Sequence, residues 1–277
     1  MDSAVLKQKK LPFRRYFAFS KATLLETTAF RTGFIAGFIG SVFYTVVVCY
    51  LWKAIFDSSA ADTVNGMTYT DTLVYVALAG AIMGALETFL VWSVGREIQS
   101  GEFSLNYVKP VDYFTRRLFS YETSVLVSFV LNVVPIMIIV GFISHWAVPF
   151  GWNSILFIPA LAMATIINFS IDFLVATLCL YTESSWGINI IKEVIVLLLS
   201  GATVPLAFFP ETLRNIMMCL PFQAIYNTPL KILISDIMPW SEYARMYGIQ
   251  LIWLILTVLA AKIFFKSASR VITVNGG

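Results

Sequence analysis

The sequence predicts an all-α membrane protein with six transmembrane helices, on the strength of three observations. Of its 277 residues, 58% are hydrophobic and 13% are charged, whereas a soluble domain has about 25% charged residues. The hydrophobic residues form runs with few charges, each near the roughly 20 residues needed to cross a bilayer. Lysine and arginine are concentrated in alternate loops, which is typical of the cytoplasmic side of a membrane protein.

The segment before the first span is basic and carries interspersed aromatic and aliphatic residues. Residues 1–30 place Phe17 and Leu25 among cations such as Arg15 and Lys21, a pattern typical of a helix lying in the membrane interface. The first span follows at residues 32–52. Its three glycines recur at small-residue spacing, which allows another helix to approach its backbone closely; they are Gly33, Gly37 and Gly40.

The next three spans are predicted at residues 69–94, 123–146 and 152–181. The third contains Pro135, which lacks a backbone N–H and is therefore expected to kink the helix. A polar island at residues 93–117 separates spans two and three. It is the longest charged interval between two membrane-length segments, and we expect it to form a cytoplasmic loop that begins with a short helix.

The fifth span is predicted to include Lys192 and Glu193 and the apolar run VIVLLLSGATVPLAFF, and the sixth covers residues 246–265. Between them, residues 205–245 form a proline-rich outer segment whose amphipathic pieces are too short to cross. We expect short outer or re-entrant helices, because irregular backbone is tolerated at membrane depth only when it packs on protein. The whole chain, residues 1–277, then forms a single transmembrane domain.

The distribution of cations supports this topology independently of hydropathy. With both termini in the cytoplasm, 15 of the 19 lysine and arginine residues lie on the cytoplasmic side. The other four fall outside: Lys53, Arg214, Lys231 and Arg245. We therefore expect a multi-pass protein of the cell membrane, with both termini and the polar island inside.

Six polar or charged residues lie within the predicted spans, where burial of an ionisable group is costly. We expect Asp172 or Glu87 to form an ion pair with Lys192, since all three lie in the inner halves of their spans. The alternative is a proton or substrate role for Asp172 and Glu87, in a secondary transporter or an intramembrane enzyme. The six residues are Glu87, Asn132, Asn168, Asp172, Lys192 and Glu193.

Several classes of function are disfavoured by composition. A net charge of +3 does not indicate nucleic-acid binding, and the three cysteines have neither metal-ligand nor disulfide spacing. His145 is the only histidine, so a catalytic dyad has one candidate and no evident partner. The chain has no G-x-x-x-x-G-K-[ST] motif for nucleotide phosphates. We therefore expect no catalysis by this chain, no bound cofactor or metal, and any ATP and Mg²⁺ on a separate ATPase.

Three short motifs resemble one branch of a known transporter class. The polar island resembles R-x-I-x-x-G-x-(F/L) followed by P-V, at Arg96, Ile98, Gly101, Phe103, Lys109, Pro110 and Val111. The outer segment resembles L-P-F-x-x-I-Y-x-x-P, at Leu220, Pro221, Phe222, Ile225, Tyr226 and Pro229. Span one is flanked by R-x-x-F and L-W-x-A-I-F, at Arg31, Phe34, Leu51, Trp52, Ala54, Ile55 and Phe56. Together these resemble the ABC-2 type permeases.

That resemblance implies a dimer of six-span exporter subunits in a prokaryotic plasma membrane, bound to two cytoplasmic ABC ATPases. The second permease would be an identical or a homologous chain, and membrane lipid would surround the pair. The helix after span two would be a coupling helix seated on the ATPase, and the outer segment would act as a gate. The coupling candidates are Arg96, Glu97, Ile98, Gln99, Gly101, Glu102 and Phe103, and the gate candidates are Pro210, Leu220, Pro221, Phe222, Tyr226 and Pro229.

Overall fold

The computed structural model describes residues 16–29, 31–59, 63–109, 111–144, 151–182, 185–235 and 238–269. In these ranges the chain is almost entirely helical, which confirms the predicted all-α membrane fold. Five segments are long and apolar enough to cross a membrane: Ile35–Ser58, Tyr69–Gln99, Tyr113–Ile143, Trp152–Leu178 and Trp240–Ala268. Both terminal segments, Pro110 of the island and the turn containing His145 lie outside the described residues.

The α-helices in the described ranges are numbered in chain order. They are α1 (Tyr16–Ala29), α2 (Arg31–Ser58), α3 (Tyr69–Leu86), α4 (Leu90–Gln99), α5 (Glu102–Val108), α6 (Tyr113–Ser128), α7 (Val134–Ile143), α8 (Trp152–Leu178), α9 (Ser185–Leu199), α10 (Glu211–Met218), α11 (Asn227–Ile234) and α12 (Trp240–Ala268).

The first two helices have different surroundings. The N-terminal helix α1 packs along α6, where Tyr16 stacks on Phe119 with the ring centroids 5.5 Å apart. Helix α2 presents a largely exposed apolar face, as a lipid-facing span should. A two-residue hairpin, β1 (Thr63–Val64) and β2 (Met67–Thr68), follows it and turns through Asn65 and Gly66. Both turn residues have positive φ, as a tight hairpin turn of this kind requires.

Helix α3 is the centre of the molecule. It is buried along nearly its whole length, and it is apolar on all sides, which is typical of a helix surrounded by others. Its start is fixed by a capping box in which Thr68 and Asp71 satisfy each other's backbone N–H groups. Helices α2, α6, α7 and α11 all pack against it.

The second span is broken, which the sequence analysis did not predict. Helix α3 ends at Leu86, and α4 begins at Leu90 after Phe89, which adopts a left-handed conformation with φ of 53°. A residue with a side chain rarely adopts this conformation, so the break is a specific local feature. The helix then continues past the predicted end at residue 94 as far as Gln99.

The third span also differs from its predicted bounds, because it begins ten residues earlier, at Tyr113. The polar island is therefore mostly helical, and the connection between α4 and α6 is reduced to α5 and its flanking turns. The distortion expected at Pro135 is present as a π-helical turn, Phe129–Val133, just before α7. The missing proline N–H removes one regular backbone hydrogen bond, which favours such a turn.

The predicted fifth span corresponds to α9, which begins at Ser185 but ends at Leu199. Its 15 residues extend about 22 Å at 1.5 Å per residue, less than the roughly 30 Å hydrocarbon thickness. The backbone then turns at Gly201, which has a φ of +81°. The apolar run therefore continues at residues 200–205 as non-helical chain that is mostly buried, and the count of six spans remains a prediction.

The outer segment folds into short helices, as predicted. Two single-turn helices, Leu206–Phe208 and Pro221–Ala224, alternate with α10 and α11. Residues 223–230 are buried, and α11 lies against α8 and α3. This packing satisfies the requirement that short helices at membrane depth be covered by protein.

Candidate functional site

A buried ion pair lies at the centre of the polar residues. Lys192 Nζ of α9 is 2.9 Å from Asp172 Oδ1 of α8, and the two side chains are 14% and 6% exposed. This confirms the predicted pairing for Asp172. The pair neutralises two costly charges and ties α9 to α8.

The ion pair continues into a hydrogen-bonded network that reaches the break in span two. The Asn168 amide, four residues before Asp172, donates to the Tyr121 hydroxyl at 2.7 Å and lies 3.4 Å from Asp172 Oδ2. The Tyr121 hydroxyl lies 3.4 Å from the backbone carbonyl of Leu86, to which it donates. That carbonyl is at the end of α3, so the network satisfies one of the acceptors that the break leaves without a helical partner.

Two cavities lie on either side of the break. Cavity A, of about 1040 Å³, lies between α1, α2, α3, α4 and α6. Cavity B, of about 320 Å³, lies between α3, α4, α8 and α9, and contains the Asp172–Lys192 pair. Met83 and the residues of the break, from Glu87 to Leu90, line both. The break therefore forms the wall between the two cavities.

The remaining predicted intramembrane residues line one cavity or the other. Glu193 faces cavity B and accepts a hydrogen bond from Asn189. Asn132 lies in the π-helical turn and lines cavity A. Glu87 lines both and, among the described lysines and arginines, has none within 4.0 Å. The structure thus gathers five of the six predicted residues around cavity B and its wall, and places Asn132 apart from them.

A second ion pair fastens the connection between spans two and three. Arg117 of α6 is 2.7 Å from Glu97 of α4, and the Tyr113 hydroxyl donates to the same carboxylate at 2.8 Å. Arg116 lies over the Tyr113 ring at 5.1 Å, a favourable cation–π distance. We call α4, α5 and the start of α6 the elbow. These contacts hold its two long helices together.

Aromatic side chains anchor the elbow on the ends of two spans. Phe103 of α5 is buried against Tyr113 and against Phe265 of α12, with ring centroids 5.2 and 6.3 Å away. Phe265 also contacts Phe173 of α8 at 5.1 Å. The side-chain oxygens of Tyr107 and Ser269 are 3.3 Å apart. Tyr113 also lies 6.1 Å from Phe173, so the elbow is packed on both α8 and α12.

The predicted coupling residues divide into two groups. Glu97 and Phe103 face inward and hold the elbow together, and Ile98 is partly buried. The second group is exposed: Arg96, Gln99, Gly101 and Glu102. Gly101 has a φ of +77° and turns the chain from α4 into α5. Leu105 was not among the predicted coupling residues, yet its side chain on α5 is 72% exposed.

The predicted gate residues lie along the outer segment. Tyr226 is buried and lines cavity B, and Pro229 is buried in α11. Pro210 precedes α10 and is exposed. Leu220, Pro221 and Phe222 are half-buried around the single-turn helix.

The sequence analysis did not single out several polar residues in the interior, among them the partly buried Glu122 and the buried Gln250. Glu122 accepts a hydrogen bond from Thr165 at 2.9 Å; it was overlooked because span three was expected to begin at residue 123. Gln250 is fully buried in α12 and donates to the backbone carbonyls of Ala160 and Ala224, at 2.8 and 2.9 Å. Its position within an uncharged apolar run was the signal that could have identified it.

These features define a class of protein: a multi-pass helical membrane protein with polar cavities between its helices. A comparison with known families specifies it further. The model of the family described as ABC-2 family transporter protein matches residues 42–276, and the chain belongs to that family. No significant match is found among curated proteins or among solved structures. The family comprises membrane components of transporters, which are not themselves catalytic and work with ABC ATPase subunits.

Proposed function

We propose that this chain forms the substrate pathway of an ATP-driven exporter and receives the work of ATP hydrolysis through the elbow. The observation that carries the proposal is the elbow's construction. The Glu97–Arg117 pair and the packing of Phe103 hold the elbow together internally. Its exposed surface carries Arg96, Glu102 and Leu105. A docking surface combines an apolar centre with a polar rim, and Leu105 between Arg96 and Glu102 would supply both.

The break in span two would allow a movement of the elbow to be transmitted to the membrane-spanning helices. A force on α5 would be transmitted to α4. The left-handed residue Phe89 would act as a hinge that allows α4 to move as a rigid unit relative to α3. Hinges commonly lie at such element ends. Because the break forms the wall between cavities A and B, its movement would change how the two cavities communicate.

The proposed complex contains two ABC ATPases, which would bind ATP and Mg²⁺, and a second permease that is identical or homologous to this one. This chain would bind no nucleotide. The outer segment, with Tyr226 over cavity B, would close the pathway on the extracellular side. Both termini and the elbow would face the cytoplasm of a prokaryotic cell, in agreement with the distribution of cations.

The test is a double charge reversal on the elbow, Arg96→Glu with Glu102→Arg, in tagged chain purified from its native host. The matched control is Glu242→Arg with Arg245→Glu, which reverses an exposed ion pair at the start of α12. Docking hot spots contribute about 2 kcal/mol or more, so the elbow variant should retain at least tenfold less co-purifying ATPase. The control should retain as much as the wild type.

Equal amounts of co-purified ATPase, with equal rates of ATP hydrolysis, in both variants would refute docking through the elbow. Thermal unfolding of each variant is measured alongside, because a misfolded chain would also lose its partner. The reversed residues are exposed, so both variants should unfold at the wild-type temperature.

A further inference from the structure

One side of α6 and of the π-helical turn after it forms a polar stripe along cavity A. Ser120, Ser124, Ser128 and Asn132 all line the cavity, and twelve residues of helix extend about 18 Å. An α-helix rotates slightly past a full turn in four residues, and the wider π-helical turn at Asn132 compensates for part of that drift. The distortion thus keeps the polar stripe facing the cavity.

The end of this stripe lacks a hydrogen-bond partner. Asn132 is 8% exposed, and its side-chain oxygen is buried without a partner among the described residues. The three serine hydroxyls form no hydrogen bond with the described part of the chain. Buried polar atoms are nearly always paired in proteins, so the Asn132 oxygen calls for a donor from something inside the cavity. The three serines are only partly buried, and their hydroxyls can bind the same occupant.

The opposite wall is also unfilled. Gly33, Gly37 and Gly40 of α2 line the cavity, and a Cβ atom built on any of them would meet nothing within 4 Å. The space of about 1040 Å³ between these glycines and the stripe is large enough to hold a small-molecule ligand. An apolar helix from a second copy would cover the glycines but would leave the serines and Asn132 unpaired, so a polar ligand fits better.

The charge in the middle of the cavity specifies the ligand further. Glu87 projects from the break, and no lysine or arginine of the described residues forms an ion pair with it. Lys192, the cation near it in cavity B, is already paired with Asp172. Arg96 and Arg117 also line cavity A, but neither lies within ion-pair distance of Glu87. A carboxylate at membrane depth is stabilised by a cation in direct contact, and the ammonium group of a ligand would supply that contact.

We propose that cavity A binds an elongated amphiphile bearing an amine, with the ammonium group against Glu87. Its other polar groups lie along the stripe from Ser120 to Asn132, and its apolar part lies against the glycine wall of α2. This assignment names the class of substrate for the proposed exporter and rests on that function for its physiological meaning. The binding itself requires neither ATP nor an ATPase.

The test uses two photoreactive probes with the same diazirine-bearing twelve-carbon chain, one ending in an amine and the other in an alcohol. The full-length chain in lipid nanodiscs is irradiated with each, and labelled peptides from α2 and α6 are quantified by mass spectrometry. A charge-assisted contact is about twice as strong as a neutral one, and we expect at least tenfold more labelling by the amine.

Three variants locate the site. Glu87→Gln should reduce amine labelling about tenfold, to the level of the alcohol. Gly37→Leu should abolish labelling by filling the cavity. The matched control, Gly248→Leu in α12, adds the same side chain at a glycine that also has nothing within 4 Å of a Cβ but does not line cavity A; it should label like the wild type.

Equal labelling by the two probes, or labelling unchanged by both Glu87→Gln and Gly37→Leu, overturns the proposal. So does a cross-link between the α2 helices of two chains that excludes the probe, because a second copy would then occupy the cavity. Since the assay contains no ATPase, these outcomes are independent of whether the elbow docks one.

Discussion

Removing the cation of the buried ion pair should destabilise the protein more than any surface charge change. The change is Lys192→Met, which preserves most of the side-chain volume but leaves Asp172 without its counter-ion. In the wild type the pair is 2.9 Å apart and almost inaccessible to solvent. The remaining neighbour, the Asn168 amide at 3.4 Å, cannot neutralise the carboxylate.

The magnitude follows from burial. Breaking a buried ion pair by removing one partner costs about 3–5 kcal/mol, and the small exposed fractions here place the pair in that class. For a chain of this size about 2 °C of melting temperature corresponds to 1 kcal/mol, so we expect a drop of about 6–10 °C. Glu242→Gln, which breaks an exposed pair, should cost at most about 1 kcal/mol.

The assay is thermal unfolding of purified protein in one detergent, with Asp172→Asn and the double variant completing a thermodynamic cycle. The double variant leaves neither charge unpaired, so it should recover about 2 kcal/mol or more of the loss. If Lys192→Met melts within the range of the Glu242→Gln control, or if the double variant is additive, the pair does not hold α9 to α8.

Three further changes test other parts of the fold by the same unfolding assay, and the last of them also by hydrogen exchange. Gly80→Ala should lower the free energy of unfolding by about 1–3 kcal/mol, because its Cβ would lie 2.5 Å from the Tyr44 ring. The control Gly84→Ala, whose Cβ would lie 3.5 Å from its nearest neighbour, should be tolerated. Equal losses in the two variants would contradict the close approach of α2 to Gly80. Gln250→Leu should lose about 1–3 kcal/mol, since two buried backbone carbonyls lose their donor; a stable variant would show that they find another. Glu97→Gln should lose about 1–3 kcal/mol and accelerate amide hydrogen exchange in residues 100–109, and unchanged exchange would show that the ion pair does not fasten the elbow.

The break in span two illustrates what sequence reasoning could not supply. Residues 69–94 form one apolar run, and nothing local to Glu87 or Phe89 indicates a left-handed turn. The turn is held in place by contacts from elsewhere in the chain, including the hydroxyl of Tyr121 on the freed carbonyl of Leu86. A pattern of hydropathy carries no information about such long-range contacts.

The polar residues show the same division. Depth alone predicted that Lys192 would meet Asp172 or Glu87, because charges at membrane depth must be compensated. Depth could not choose between the two carboxylates, since that choice depends on how α9 is rotated against α8. The structure pairs Asp172 and leaves Glu87 between the cavities.

The sequence by itself determined that this protein is a helical membrane protein with a proline-rich segment of short helices, because hydropathy and proline act locally or through the bilayer. It also carried the resemblance that the family match to residues 42–276 confirms. Only the tertiary structure decided where the spans break, which coupling candidates face outward and how the cavities are divided. Those features arise from packing between residues far apart in the chain, and a local periodic pattern does not specify such contacts.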